Sequence, residues 1–218
     1  MRKVILLLLV VVHVVPYIAC ADELNSHERC SGIWAVGAKS PYTGPDFIPT
    51  KITSPNGLAS INASSEGLSF VGKKAPIQLK VLINPPLTEV LWAPDSRGFT
   101  INVSDGGLVG TWEAHVYSID QDGNPIPHNI RKLIFPITNK FLKCEPKEVA
   151  NFGITAWLNG SKEILIVAEV PPHSSCRNMG AIIGFQISVK SGKIIERISE
   201  KELRKKWKSY LGCRFEAE

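Results

Sequence analysis

Leu91-Trp92-Ala93-Pro94-Asp95-Ser96-Arg97-Gly98-Phe99-Thr100-Ile101 reads as a strand, a polar turn and a second strand. Pro and Asp are turn formers, Pro by fixing φ and Asp by bonding its own backbone. The order recurs in Ile52-Thr53-Ser54-Pro55-Asn56-Gly57-Leu58-Ala59-Ser60-Ile61 and in Ala156-Trp157-Leu158-Asn159-Gly160-Ser161-Lys162-Glu163-Ile164-Leu165-Ile166. In the two later stretches a Trp precedes the turn and an apolar pair follows it. Each unit is followed by a further strand that ends in a polar hairpin. A Trp at that place is suited to packing on the neighbouring unit, while the Pro-Asp or Asn-Gly turn reverses the chain.

Working outward, short β-prone runs cover Leu58–Ile61, Leu68–Val71, Ile77–Ile83, Val90–Trp92 and Phe99–Val103, separated by Pro-, Asn- and Gly-rich turns. His115–Ile119 leads into Asp120-Gln-Asp-Gly-Asn124, where Asp-Gly supplies the positive φ of a tight hairpin. That acidic turn lacks the spacing and closing Glu of a calcium loop. Return strands are expected near Pro125–Ile130 and over Lys132–Ile137, with later strands at Ile154–Leu158, Glu163–Ala168, Ala181–Val189 and Lys193–Ile198. The end differs. Ser199-Glu-Lys-Glu202 is a capping box, and Leu203, Trp207 and Leu211 form one stripe, so a helix is expected over 200–211 with Gly212 as its stop. The fold class read here is all-β: antiparallel sheets in one domain, 47–218, with one C-terminal amphipathic helix, behind an N-terminal arm, 22–46.

The Trp92-Ala-Pro94-Asp95 turn between two strands resembles the WD40-like repeat of TolB-type β-propellers, whose units carry W-S-P-D-G. Ser96 stands where Gly is usual. Ser54–Gly57 matches more loosely, with Thr53 for Trp and Asn56 for Asp, and the third unit has no Pro. The resemblance implies four-stranded blades of roughly 40 to 45 residues, of which propellers have at least four. Three units are visible, so two architectures stay open: a partial, propeller-like assembly, or a recurring hairpin turn in a β-sandwich.

The chain opens with Met1-Arg2-Lys3, an apolar run from Val4 to Val15 and Ala19-Cys20-Ala21, the three parts of a cleavable export signal over 1–21. The run is short for a signal anchor, and a lipid anchor on Cys20 is the minor alternative. The expected location is secreted or periplasmic, with no transmembrane span after cleavage. Removing Arg2 and Lys3 lowers the formal charge of +5 by two, too mild to argue for nucleic acid. Cys30, Cys144, Cys176 and Cys213 remain, an even set suited to disulfides in an oxidising compartment. Strands on either side of the Asn159 turn would form a hairpin whose open end brings Cys144 and Cys176 together, leaving Cys30–Cys213 to tie the chain ends. The competing zinc reading, His173-Ser-Ser-Cys176, lacks a second ligand pair.

No catalytic, cofactor or metal constellation stands out, and no G-x-S-x-G is present. Ser104 or Ser118 with His115 and Asp105 can be written as a triad, without distinguishing context. The glycine-rich loop from Ser104 to Trp112 has no Lys-Ser or Lys-Thr helix after it, so it is no phosphate cradle. Its Asp105, Gly106 and Gly107, with Trp112, His115 and Tyr117 just beyond, are the candidate binding residues; alternation sets Trp112 on one strand face and His115 with Tyr117 on the other. Lys201, Arg204, Lys205, Lys206 and Lys208 form a basic run, read either as a solvated helix face or as a contact for an acidic surface. Asn62, Asn102 and Asn159 head N-x-Ser sequons, relevant to a eukaryotic secreted chain. The leading expectation is a non-enzymatic binding module for a protein, glycan or small ligand; the runner-up is a secreted hydrolase with a loop-borne site.

Overall fold

The structure, a computed structural model, describes residues 33–107, 111–145 and 147–216. The expected signal segment, Cys20 and Cys30 lie outside the described residues, as do the first part of the arm and positions 108–110 of the glycine-rich loop. A small hairpin, β1 (Tyr42–Thr43) and β2 (Ile48–Pro49), is followed by three antiparallel four-stranded sheets. The first holds β3 (Lys51–Thr53), β4 (Ser60–Ser64), β5 (Gly67–Val71) and β6 (Ile77–Gln78). The second holds β7 (Thr88–Trp92), β8 (Gly98–Ser104), β9 (Trp112–Ile119) and β10 (Pro125–His128). Helix α1 (Ile130–Phe141) then leads to the third: β11 (Asn151–Leu158), β12 (Glu163–Glu169), β13 (Ile182–Ser188) and β14 (Ile194–Ile198), with α2 (Glu200–Lys206) after it. Within each sheet the strands lie in chain order, so each sheet is a meander of local hairpins. The all-β, antiparallel expectation holds.

The three recurring turns occupy one place: each joins the first strand of a sheet to the second. They also touch one another in a repeating way. Trp92 Nε1 donates to Ile52 O at 3.2 Å, and Trp157 Nε1 donates to Leu91 O at 3.3 Å. Ile52 and Leu91 are aligned positions in the repeat. One step on, Asn56 N donates to Ser96 Oγ at 3.0 Å and Asp95 N to Ser161 Oγ at 3.4 Å. Gly57, Ser96 and Ser161 are the aligned left-handed residues, with φ of 74°, 61° and 67°. Each unit thus reaches back to the unit before it through a Trp and a Ser. Among the described residues only the small β1–β2 hairpin precedes the first unit, and there Thr53 and Gly57 stand where the others have Trp and Ser.

Three cores fill the stack. Between the first and second sheets, Phe70, Trp92, Phe99 and Tyr117 pack with Ile52, Ile61, Leu68 and Ile101. Between the second and third, Val116 and α1 pack on Phe152, Ile154, Ile164, Ile166, Phe185 and Ile187. The far face of the third sheet is covered by Trp34, Leu203, Leu211 and Phe215. β11 serves two of these cores because its register slips between Ile154 and Ala156. One extra residue re-phases the alternation: Phe152 and Ile154 face the second sheet, while Ala156 and Leu158 face the cap. From Ile33 the expected arm is part of the body. Trp34 is fully buried, Ala35 bridges Leu211, and Lys39 bridges Val90. A Cβ on Gly153 would come within 2.0 Å of the Trp34 ring, so only glycine lets the indole lie on β11.

Three expectations need revision. The strand expected over Ile77–Ile83 is only the two-residue β6, and the chain from Leu79 to Ile83 is irregular. The strand expected over Lys132–Ile137 is the helix α1. Asn129 caps it by accepting from Lys132 N at 3.1 Å. Ile130, Leu133, Ile134, Ile137 and Phe141 follow helical spacing and turn toward the core between the sheets. The β-branched run and Pro136 hid that period. The terminal helix keeps its capping box but ends at Lys206, and Lys208–Tyr210 continues as a 3-10 turn. The Cys144–Cys176 disulfide is present, at the open end of the β11–β12 hairpin. Cys213 is also disulfide-bonded; its expected partner, Cys30, lies outside the described residues.

Candidate functional site

The residues singled out from the sequence do not converge. Asp105 follows β8, and its Oδ1 accepts from Gly107 N (2.9 Å) and Thr111 N (3.1 Å), closing the loop on itself. Gly106, at φ 72°, makes that bend. Trp112 is buried with Trp34, while Tyr117 is buried in the core toward the first sheet, stacked on Phe99 at 4.7 Å. His115 lies half-buried beside Glu113, which Arg131 pairs. Burial holds the His115 ring below its usual pKa, with Arg131 acting in the same sense and Glu113 against it. The indole and the phenol are thus structural, on opposite faces of β9.

Two buried carboxylates, Glu89 and Glu169, are committed to holding elements together. Glu89 accepts from Ile33 N (2.6 Å), Trp34 N (3.2 Å) and Asn102 Nδ2 (2.7 Å). Burial raises its pKa, and those donors offset the rise only in part. Asn102 in turn donates to Ile154 O at 2.9 Å and accepts from Ile154 N at 2.8 Å. Glu169 accepts from Arg214 Nη2 (2.6 Å) and Asn151 Nδ2 (3.0 Å). The Arg214 guanidinium lies 5.0 Å from the Trp34 ring and 5.4 Å from that of Trp112, a cation–π arrangement. Both networks tie the N-terminal segment or the C-terminus to the sheets.

Ser118 and His128 are the nearest approach to a nucleophile and base. Ser118 Oγ and His128 Nε2 share a hydrogen bond of 2.8 Å between β9 and β10, and burial lowers the histidine pKa. Among the described residues no carboxylate bonds the other ring nitrogen. The zinc alternative is overturned, because Cys176 is a disulfide sulfur. Of the sequon residues, Asn102 is buried and fully bonded, while Asn159 stands in an exposed turn. In the basic run, Arg204 pairs with Glu200 and Lys206 with Glu202, at i,i+4 spacing.

Unpaired charge collects elsewhere. A groove of about 640 Å³ opens between the C-terminal half of α1 and the outer part of the third sheet. Ile137, Phe141 and Ala181 form its apolar floor, and Lys140, Lys143 and Arg197 stand around it with no carboxylate in the lining. Among the described residues none of the three is in an ion pair. Asn178 holds the wall together, donating to Phe141 O (3.1 Å) and accepting from Lys143 N (3.0 Å), and the disulfide ties Cys176 to Cys144 in the segment after α1. The volume lies within the usual range of ligand sites, roughly 300–1,000 Å³. An apolar floor with a cationic rim suits an anion that carries an apolar group. The sequence reading missed this place because it took Lys132–Ile137 for a strand and gave Lys140 and Phe141 no element, whereas both belong to α1. The Asn129 cap and the spacing of Ile130, Ile134, Ile137 and Phe141 were the available signals. Comparison with known protein families, curated proteins and solved structures found no match.

Proposed function

We propose that this chain is an exported, non-enzymatic binding module, an open three-unit relative of the WD40-like propellers, and that it holds an anionic ligand in the groove beside α1. The observation that carries this is the set of three unpaired cations over an apolar floor. Among the described residues the two buried carboxylates, Glu89 and Glu169, are engaged in stitching, and the groove is where accessible charge gathers. The Cys144–Cys176 disulfide and the opening Arg2-Lys3 and apolar run support export. The repeated Trp and Ser links between successive turns support the family reading. Titration with anilinonaphthalenesulfonate, an apolar anion, tests the groove. Saturable binding should weaken with salt and be lost in Lys140→Glu and Arg197→Glu but not in Lys205→Glu. Equal binding by all three variants would refute the assignment.

A second reading rests on Ser118 and His128. A hydroxyl bonded to an imidazole is a potential acyl-transfer pair, so a hydrolase would carry its site on β9 and β10 rather than on the Ser104–Trp112 loop. Turnover of p-nitrophenyl esters that vanishes in Ser118→Ala would favour it; turnover that survives this change would remove it.

A further inference from the structure

The outermost strands of the three sheets are not alike. β6 has two residues and follows Pro76. β10 carries Pro125 and Pro127, which offer no N–H. Both are blunted against pairing, as edge strands usually are. β14, Ile194-Ile195-Glu196-Arg197-Ile198, is five residues long and free of proline; its register against β13 slips at Ile195, which is unpaired and half exposed at 51%, while Glu196–Ile198 pair regularly. It pairs with β13 on one side, and among the described residues nothing hydrogen-bonds its other side.

A groove lies on each face of that free edge. Arg197 belongs to the cationic groove already described. Glu196 and Ile198 belong to a second one, of about 340 Å³, shared with Glu202 and Lys206, which pair with each other, and with Trp207 and Tyr210. The two rings lie 5.8 Å apart, and Tyr210 is 40% exposed. Side chains of an added strand alternate between the faces of a sheet. One set would therefore meet Lys140, Lys143 and Arg197, and the other Trp207 and Tyr210. We infer that the free edge of β14 accepts an extended peptide as a fifth strand of the third sheet, with acidic side chains on the α1 face and apolar ones on the Trp207 face. Main-chain bonds supply affinity in such strand addition, and flanking pockets supply specificity. A second copy of this chain is a poorer occupant. An antiparallel pair of β14 strands related by a two-fold axis sets Glu196 against Glu196 or Arg197 against Arg197 in the registers centred on those residues, and Arg197 against Lys193 in the register centred on Ile195; like charges directly opposite are destabilising.

This inference rests on the groove assignment proposed above, and the experiment separates the two. The probe is a fluorescently labelled peptide alternating Asp with Leu, followed by anisotropy. Its counterparts are a Lys–Leu peptide and an Asp–Leu peptide N-methylated at alternate amides, which keeps the charge and removes the ladder. The expected result is binding of the Asp–Leu peptide alone, weakened on the order of tenfold or more by Arg197→Glu. Tyr210→Ala should weaken it too, without affecting anilinonaphthalenesulfonate. If the N-methylated peptide binds equally well, the groove holds an anion and not a strand, and this inference fails while the groove assignment stands. If neither peptide nor dye binds, both fail. If sedimentation shows self-association that the peptide displaces, a second copy is the occupant and the inference is overturned.

Discussion

The two faces of the second sheet make unlike interfaces from one alternating sequence. On β8, Phe99, Ile101 and Val103 point toward the first sheet, and Gly98, Thr100, Asn102 and Ser104 toward the third. The first interface is aromatic: Phe99 lies 5.8 Å from Phe70, 5.2 Å from Trp92 and 4.7 Å from Tyr117, ring to ring. The second sets small and polar residues against β11. There Trp157 lies on Gly98, where a Cβ would meet the indole at 2.8 Å, and Asn102 bonds both backbone groups of Ile154. The lesson concerns the period-two pattern. Phe-Thr-Ile-Asn-Val-Ser has the form of a strand with one wet face, yet all seven residues of β8 are buried. The polar face is used to satisfy the free edge of a neighbouring strand, because a buried backbone group left unpaired is costly.

The sharpest way to break the aromatic interface is Trp92→Ala. It removes a ring packed on two others and the bond to Ile52 O, and an aromatic-to-Ala change in a core costs about 3–5 kcal/mol. Chemical denaturation should show that loss, and a change below about 1 kcal/mol would mean that the interface carries little of the stability. On the polar side, Asn102→Ala leaves Ile154 N and O without partners and takes a donor from Glu89. Unsatisfied buried groups cost about 1–3 kcal/mol each, so a loss of about 3 kcal/mol is expected. Asn102→Asp tests the chemistry further: it keeps the acceptor for Ile154 N but sets a second carboxylate against Glu89, and should be no better than Ala.

Acid should reach both faces of the second sheet. His115 shares a face with Ile101 and His128 with Val116. Burial holds both below the free value of 6.5. As the pH falls, the unfolded chain therefore takes up protons first, and stability should decline from about pH 6.5 downward. Glu89 acts in the opposite sense. Its pKa lies above the free value of 4.5, so the folded state holds the proton longer, and that contribution is lost as the pH rises through the folded value. Melting temperature against pH, repeated on His115→Gln and His128→Gln, checks the histidine part. A decline that survives both replacements would need another cause.

Smaller effects sharpen the repeat logic. Trp157→Phe keeps most of the packing and removes the bond to Leu91 O, a loss of about 1 kcal/mol. Ser161→Gly removes the acceptor for Asp95 N but relieves a left-handed residue of its side chain, so it should change stability by less than about 0.5 kcal/mol. A large loss there would show that the turn-to-turn bond matters more than its exposed setting suggests.

Much of the fold was legible because its contacts are local. Turn chemistry and strand period place the hairpins of all three sheets. The Ser199–Glu202 capping box places α2, and the open end of a hairpin places the Cys144–Cys176 bond. Those features depend on residues a few positions apart. What only the tertiary structure decided involves residues far apart in the chain. Whether Asn102 faces water or β11, and whether Trp112 and Tyr117 line a site or fill a core, depend on which sheet lies alongside. So does the meeting of Lys140 with Arg197 in one groove. The β-branched residues around Pro136 favour a strand locally and Pro136 itself disfavours a helix interior, yet the helix forms with its apolar stripe buried between two sheets.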